Sequence, residues 1–281
     1  MAPDVEKLSI PAIRELLNSS DEKQQKKIVR LMKKDQRIGV QKLLAQLESS
    51  QEKQKQCEAE FNELCSFEIK LRDKGFERIA GVDEAGRGAF AGPLVASAVV
   101  LPLEFHFPGL KESKQLTPEL REEYYEVILE CALAWHVEIV PPAVIDEKGL
   151  HKCNLYALER AVLNLPSAPD FVISDGFPLP SLELPKISIA QGDTLSISIA
   201  AASIIAKVER DRMMIAYSRE FPGYGFETHK GYGTREHLEA LEKMGPCPIH
   251  RASFKRIAEC AQLDLEGLKG AGGAGLEGLE I

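Results

Sequence analysis

Over the first 75 residues the apolar positions recur at helical spacing with no alternating run, which predicts helices throughout. Ser9 ahead of Ile10-Pro11 reads as an N-cap followed by proline in the first turn, and opens a helix to Leu17. Asn18 to Asp21 then starts a second helix, for which Gly39 is the natural stop. A longer helical pattern continues to Asp73, with Leu43, Leu44, Leu47, Phe61, Leu64 and Leu71 as its apolar positions.

The period changes at Arg78. Arg78–Val82 and Pro93–Leu101 are short apolar runs of strand type, and Glu84 to Gly92 between them reads as a loop. After a polar loop at Lys111–Gln115, Thr117-Pro118 starts a helix that should reach Ala134. Trp135–Val140 is a third strand, and Ala143–Leu165 a helix with Leu150, Leu155, Leu158 and Val162 facing the core. Asp170–Asp175 and Pro185–Gln191 are the fourth and fifth strands. Ser196–Met214, rich in alanine and isoleucine, reads as a deeply packed helix. Phe221–Gly225 is a loop, and Thr234 caps a helix to Lys243. This order predicts an α/β fold: one mixed five-stranded sheet flanked by helices, carrying an all-helical N-terminal extension. The expected divisions are residues 1–75, 76–262 and a disordered glycine-rich tail at 263–281.

Composition adds little to this picture; charge adds more. The chain has 281 residues and a net charge of −8, which argues against a generally basic nucleic-acid binder. Lys23 to Arg37 nevertheless holds seven basic residues against the single acid Asp35, with Lys23, Lys27, Arg30, Lys34 and Arg37 near one helical face. Such a run is either a solvated surface or a contact with nucleic-acid backbone. No apolar run reaches the ~18–20 residues that span a bilayer, and the N-terminus lacks a secretory layout. A cytoplasmic, membrane-free monomer is expected. The six cysteines form no CxxC pair, and Cys247 with His250 is too small a set for zinc.

The candidate chemistry sits in Gly81-Val-Asp-Glu-Ala-Gly-Arg-Gly88, where a buried strand delivers Asp83 and Glu84 into a glycine-rich loop. Adjacent acids at a strand end need a cation or partner to neutralise them. Asp175 and Asp193 also follow apolar segments, and an oxygen-only cluster of this kind suits Mg²⁺ or Mn²⁺. Singly, each of the two has a plainer reading: Asp175-Gly176 as a turn, Asp193 as a helix N-cap. Gly86–Gly92 is not a dinucleotide fingerprint, because it leads into a strand and its spacing is off by one.

Gly81–Gly88, Ala91-Gly-Pro93, Ser113-Lys-Gln-Leu116, Asp175-Gly176, Gly192-Asp193, Ala201–Asp211 and His229-Lys-Gly-Tyr232 together resemble ribonuclease HII, in that family's order and approximate spacing. The resemblance covers about residues 78 to 256, and the helical extension is similar to one found in some bacterial members. It implies an RNase H-like fold and endonucleolytic cutting of RNA–DNA hybrids and of duplex DNA at single embedded ribonucleotides. The implied chemistry is two-metal hydrolysis that leaves 3′-hydroxyl and 5′-phosphate ends.

The resemblance assigns Asp83, Glu84, Asp175 and Asp193 as catalytic metal ligands. Gly86, Arg87 and Gly88 become readers of the ribose 2′-OH, and Tyr232 a stacking residue at the RNA–DNA junction. Lys114 and Lys207 become phosphate contacts or supports. Ala89-Phe90, Glu112 and Gln191 depart from the usual pattern without removing a ligand. The related ribonuclease HIII differs in its glycine loop and fourth acid, so Arg87 and Asp193 favour HII. A non-catalytic nucleic-acid-binding module on the same fold is the competing reading.

Overall fold

The structure is a computed structural model that describes residues 5–260. It divides into two compact units, residues 1–61 and 62–281. The expected tail at 263–281 lies outside the described residues. Among the described residues, no helix is long and apolar enough to cross a membrane.

The first unit is helical, as its periodicity predicts: α1 (Ile10–Asn18), α2 (Glu22–Met32) and most of α3 (Ile38–Leu64). Ser9 Oγ accepts from the Ala12 N–H, so the expected N-cap is made, and Asp21 Oδ1 caps the second helix by accepting from the Gln24 N–H. Ile13, Leu17, Ile28, Met32, Val40, Leu43 and Leu44 form the core. Gly39, however, lies inside α3 and ends nothing. The chain turns earlier, around buried Asp35. Its carboxylate accepts from the Arg37 N–H at 2.9 Å and pairs with that residue's guanidinium, which also donates to the Val5 and Leu8 carbonyls. The basic run is therefore split. Lys23, Lys26, Lys27 and Arg30 stand exposed on α2, Lys33 and Lys34 follow its end, and Arg37 is a structural tie.

The second unit contains α4 (Ser66–Arg72), β1 (Ile79–Ala85), β2 (Leu94–Val100), α5 (Pro118–Cys131), β3 (Ala134–Val140), α6 (Pro142–Lys148) and α7 (Leu150–Leu163). It continues with β4 (Phe171–Asp175), β5 (Lys186–Ile189), α8 (Ile197–Glu220), α9 (Phe226–His229) and α10 (Arg235–Met244). The strands form one mixed sheet in the order β3-β2-β1-β4-β5. β1 runs antiparallel to β2 and parallel to β4, and therefore sits at the centre.

Strand alternation decides what each face of β1 meets. Ala80 and Val82 join Ala157, Leu158 and Ala161 of α7 in the main core. On the other face Ile79 packs with Ile173 of β4, Ile199 of α8 and Leu71 of α4. At Gly81 the backbone of α8 comes so close that a Cβ would lie 2.0 Å from the Ser198 carbonyl carbon. Only glycine permits that approach.

Several expected boundaries shift. The single helix over 143–165 is two, because Gly149 takes φ 86° between α6 and α7. The packed helix runs on to Glu220, and a short α9 ends at His229. β1 continues three residues past Val82, so Asp83 and Glu84 belong to the strand and the loop starts later.

The α8 N-terminus has an unexpected partner. Ser196 Oγ caps it by accepting from the Ile199 N–H, and itself donates to Glu68 Oε1 at 2.5 Å. Glu68, 1% exposed, also accepts the Ser198 N–H at 3.0 Å. A buried carboxylate on α4 thereby satisfies the first turn of the helix that follows Asp193.

Candidate active site

The extension of β1 explains how its two acids are placed. As consecutive strand residues they face opposite sides. Asp83 shares the face of Gly81 and lies under α8, whereas Glu84 points with Val82 toward α7. Asp175 ends β4, the parallel neighbour of β1, and its Oδ1 accepts from the Gly192 N–H at 2.7 Å. That bond draws the 192–194 turn, with Asp193, over the strand ends. Asp193 does not cap α8, since Ser196 does.

One carboxylate oxygen each from Asp83, Asp175 and Asp193 lies within 4.8 Å of the others. Among the described residues this is the grouping of acids, histidines or cysteines able to hold a metal; Cys247 and His250 are not part of one. Asp83 and Asp193 are 6% and 4% exposed, so the cluster is largely out of water. Glu84 stands outside this group. One of its oxygens is buried without a hydrogen-bond partner, and both polar atoms of buried Asn154 on α7 share that condition.

The electrostatics follow from this crowding. Burial, with the neighbouring Glu84 and Asp175 charges, holds the Asp83 carboxyl well above the usual carboxylate range. Glu84 is pushed up to about 7, mainly by burial and against the pull of Arg87. Asp193 is pushed up to about 6 by burial and by Asp175. Lys114 is the nearby cation, its Nζ 3.8 Å from Asp193 Oδ2. Burial of Lys114 works against its charge, but Asp193 and Asp83 outweigh that and raise its pKa. Crowded, raised acids with an orphaned oxygen are the donor set a hard divalent cation would neutralise.

Beside the acids lies the glycine loop. Gly86 takes φ 90°, and a Cβ there would meet Arg210 Nε at 1.9 Å. Arg87 and Gly88 are exposed, and the space beside Gly88 is open. The Arg87 guanidinium lies over the Phe177 ring at 4.7 Å. Tyr232 is 36% exposed, with Arg210 5.3 Å and Lys207 5.8 Å from its ring. Lys207 is also paired with Asp211 at 2.8 Å.

Loop and tyrosine are stitched together through main chain. The Phe90 and Ala91 N–H groups both donate to the Gly231 carbonyl, at 2.8 and 3.2 Å. Ala89 is fully buried, and the Phe90 ring packs against Gly233 and near His237 and Phe254. The departures at 89 and 90 are thus packing residues beneath the loop.

Two buried histidines, His237 and His250, support the tyrosine segment. The Cys247 N–H donates to His250 Nδ1, which leaves the His250 Nε2–H for His237 Nε2 at 3.0 Å. The remaining His237 Nδ1–H then donates to the Tyr232 carbonyl at 2.9 Å. Burial lowers both rings to about 4, so the neutral chain persists at working pH.

A central pair of strands and the turn at 192–194 bring three aspartates together, two of them buried, beside an arginine-bearing glycine loop, which defines a hydrolase of the RNase H-like class. Comparison with known proteins agrees. Residues 80–257 match the Ribonuclease HII family and residues 9–72 its Ribonuclease HII N-terminal domain. Ribonuclease HII of Halalkalibacterium halodurans is 44% identical over 255 residues, covering 91% of this chain and 97% of the relative. The Listeria innocua protein of the same name is 45% identical over 261 residues, covering 93% and 99%. The crystal structure of ribonuclease H2 from Pyrococcus horikoshii aligns with TM-score 0.58 at 27% identity, over 66% of this chain and 98% of that one. RNase HII from Archaeoglobus fulgidus, solved in complex with PCNA, aligns with TM-score 0.55 at 27% identity, over 63% and 95%. The chain belongs to the ribonuclease HII family and is a ribonuclease H endonuclease.

Sequence reasoning did not find Glu68, Asn154, Arg210 or Arg251. Arg210 had a usable signal: it recurs in step with Ile199, Ser203 and Ala206 on the packed face of α8, where a charge is out of place. Glu68 carried none, since its partners lie about 130 residues away.

Proposed function

We propose that this enzyme cuts the RNA strand of RNA–DNA hybrids, and cuts 5′ to single ribonucleotides in duplex DNA, leaving 3′-hydroxyl and 5′-phosphate ends. The convergence of Asp83, Asp175 and Asp193 beside the Arg87 loop carries this reading. These three and Glu84 would hold Mg²⁺ or Mn²⁺, the orphaned Glu84 oxygen being a donor available on the α7 side. Two divalent ions, when bound, supply an activated water and charge stabilisation for in-line displacement at phosphorus.

The chain's own groups do the rest. The open side of Gly88 lets a sugar approach the backbone, and the exposed Arg87 next to it, resting on Phe177, supplies a donor fork. Tyr232 offers a ring face for the neighbouring deoxyribose, and Lys114 draws phosphate toward the acids. Lys207 steadies Tyr232 and Asp211 from below. The decisive assay uses a duplex bearing one ribonucleotide: cleavage with Mg²⁺ or Mn²⁺, and none with EDTA. Cleavage that survives EDTA would end the metal reading. Changing Arg87 to Ala should reduce kcat/KM on that duplex about 10-fold or more, the value of one or two charge-assisted hydrogen bonds. Unchanged selectivity against an all-DNA competitor would remove Arg87 from the reader.

The helical unit is proposed to add a sequence-independent grip on the duplex through Lys23, Lys27, Arg30 and Lys34, all exposed. Changing all four to Ala should flatten the slope of log K against log salt by up to about 3.6, near 0.9 per lost phosphate contact. An unaltered slope would make the unit structural.

A further inference from the structure

Arg251 is 0% exposed, and among the described residues the hydrogen bonds of its guanidinium reach no carboxylate. Its donors go to main-chain carbonyls instead. Nη1 reaches the Arg87 carbonyl at 3.0 Å, while Nε and Nη2 reach the Gly92 carbonyl at 3.1 and 3.0 Å. One planar side chain thus spans both ends of the segment that carries Arg87 and Gly88. Its own N–H donates to the Phe90 carbonyl at 2.9 Å, and the Gly92 N–H donates to Ile249. Phe254 lies 5.3 Å below the guanidinium and closes it from water.

A second buried arginine works beside it. Arg210 donates to the Pro93 carbonyl at 2.9 Å and the Ala91 carbonyl at 3.0 Å, fills the space that Gly86 leaves, and underlies Tyr232. Burying a guanidinium without a counter-ion is unfavourable, and an apolar side chain would fill the volume at less cost. What an apolar residue lacks is a rigid fork of donors that fixes several carbonyls at once. Because Phe90 and Ala91 are also bonded to Gly231, fixing this segment fixes where Tyr232 stands relative to Arg87.

We infer that Arg251 is a positioning residue for substrate selectivity: by bridging the Arg87 and Gly92 carbonyls it holds the glycine loop in the one shape that fits a ribose 2′-OH. This rests on the reading of that loop as the 2′-OH sensor. Lysine keeps the charge of Arg251 but cannot span two carbonyls in a plane, so Arg251→Lys separates shape from charge.

The test compares the full-length wild type with Arg251→Lys on three readouts. These are kcat/KM on a duplex with one ribonucleotide, the inhibition constant of the matching all-deoxy duplex, and the half-saturating Mg²⁺ concentration. The expected result is a fall of about 10-fold or more in the first, with the other two within about twofold. A parallel loss of all-deoxy binding, or weakened Mg²⁺ response, would show a general docking role and overturn the inference, as would no change at all. If the wild type itself binds the all-deoxy duplex as well as the ribonucleotide duplex, the sensor reading fails instead. Arg251→Gln, which retains one donating arm, is run alongside. Should both variants melt below the assay temperature, Arg251 is a stability residue and the inference is wrong.

Discussion

Asp83→Asn is expected to reduce cleavage on the order of 10³-fold or more, the equivalent of several kcal/mol of transition-state stabilisation. Duplex affinity should remain within a few-fold, because Asp83 lies beneath the substrate surface and is 6% exposed. Asparagine preserves the local fold: its Oδ1 can still accept the Glu84 N–H, which Asp83 binds at 2.7 Å. It also removes one of three crowded carboxylates. The metal-free variant should therefore melt above the metal-free wild type near pH 8 by several degrees, at about 2–4 °C per kcal/mol for a chain of this size. A variant that cleaves normally would remove Asp83 from the catalytic set; one that is inactive but melts lower would show a folding defect.

The second large effect is on stability against pH. Asp83, Asp193 and Glu84 all hold their protons to higher pH in the folded chain than in the unfolded one. Between about pH 4 and the folded values near 6 for Asp193 and 7 for Glu84, the folded state binds more protons than the unfolded state. Stability therefore falls as pH rises through that window. Glu84 alone, moved from 4.5 to about 7, accounts for roughly 3 kcal/mol. In EDTA, the melting temperature should drop between pH 5 and pH 8, and Glu84→Gln should make that drop shallower. Saturating Mg²⁺ should restore several degrees at pH 8 and little at pH 5, since protonated acids bind metal poorly. A Glu84→Gln slope equal to that of the wild type would refute this account of the site.

The order of the strands along the chain, the mixed sheet and the N-caps at Ser9, Thr117 and Thr234 were legible because each rests on local chemistry or period. Gly39 and Gly149 misled in opposite directions. Gly39 was read as a stop, but the turn is made by Asp35 and Arg37 through contacts with residues near the N-terminus. Gly149 was read as an interior residue, although its positive φ divides two helices. The four acids were visible as strand-end carboxylates. That Asp83 and Glu84 face opposite sides depended on where β1 ends, the boundary that local patterns define least well. Arg251 and Glu68 act across long stretches of chain on carbonyls, an N–H and a hydroxyl, groups that leave no periodic mark.

The Glu68 carboxylate has a practical bearing on where this protein can be cut. The two family matches meet in the gap between residues 72 and 80, which looks like the seam for isolating the nuclease. A fragment begun there would lose Glu68 and Leu71. The Ser196 hydroxyl and Ser198 N–H would lose their acceptor, and a hole would open beside Ile199, all within a few residues of Asp193. A fragment begun at Asn62 retains this brace. A fragment that keeps the brace beside Asp193 must therefore start ahead of the nuclease match and include α4, a helix that falls within the match to the N-terminal domain.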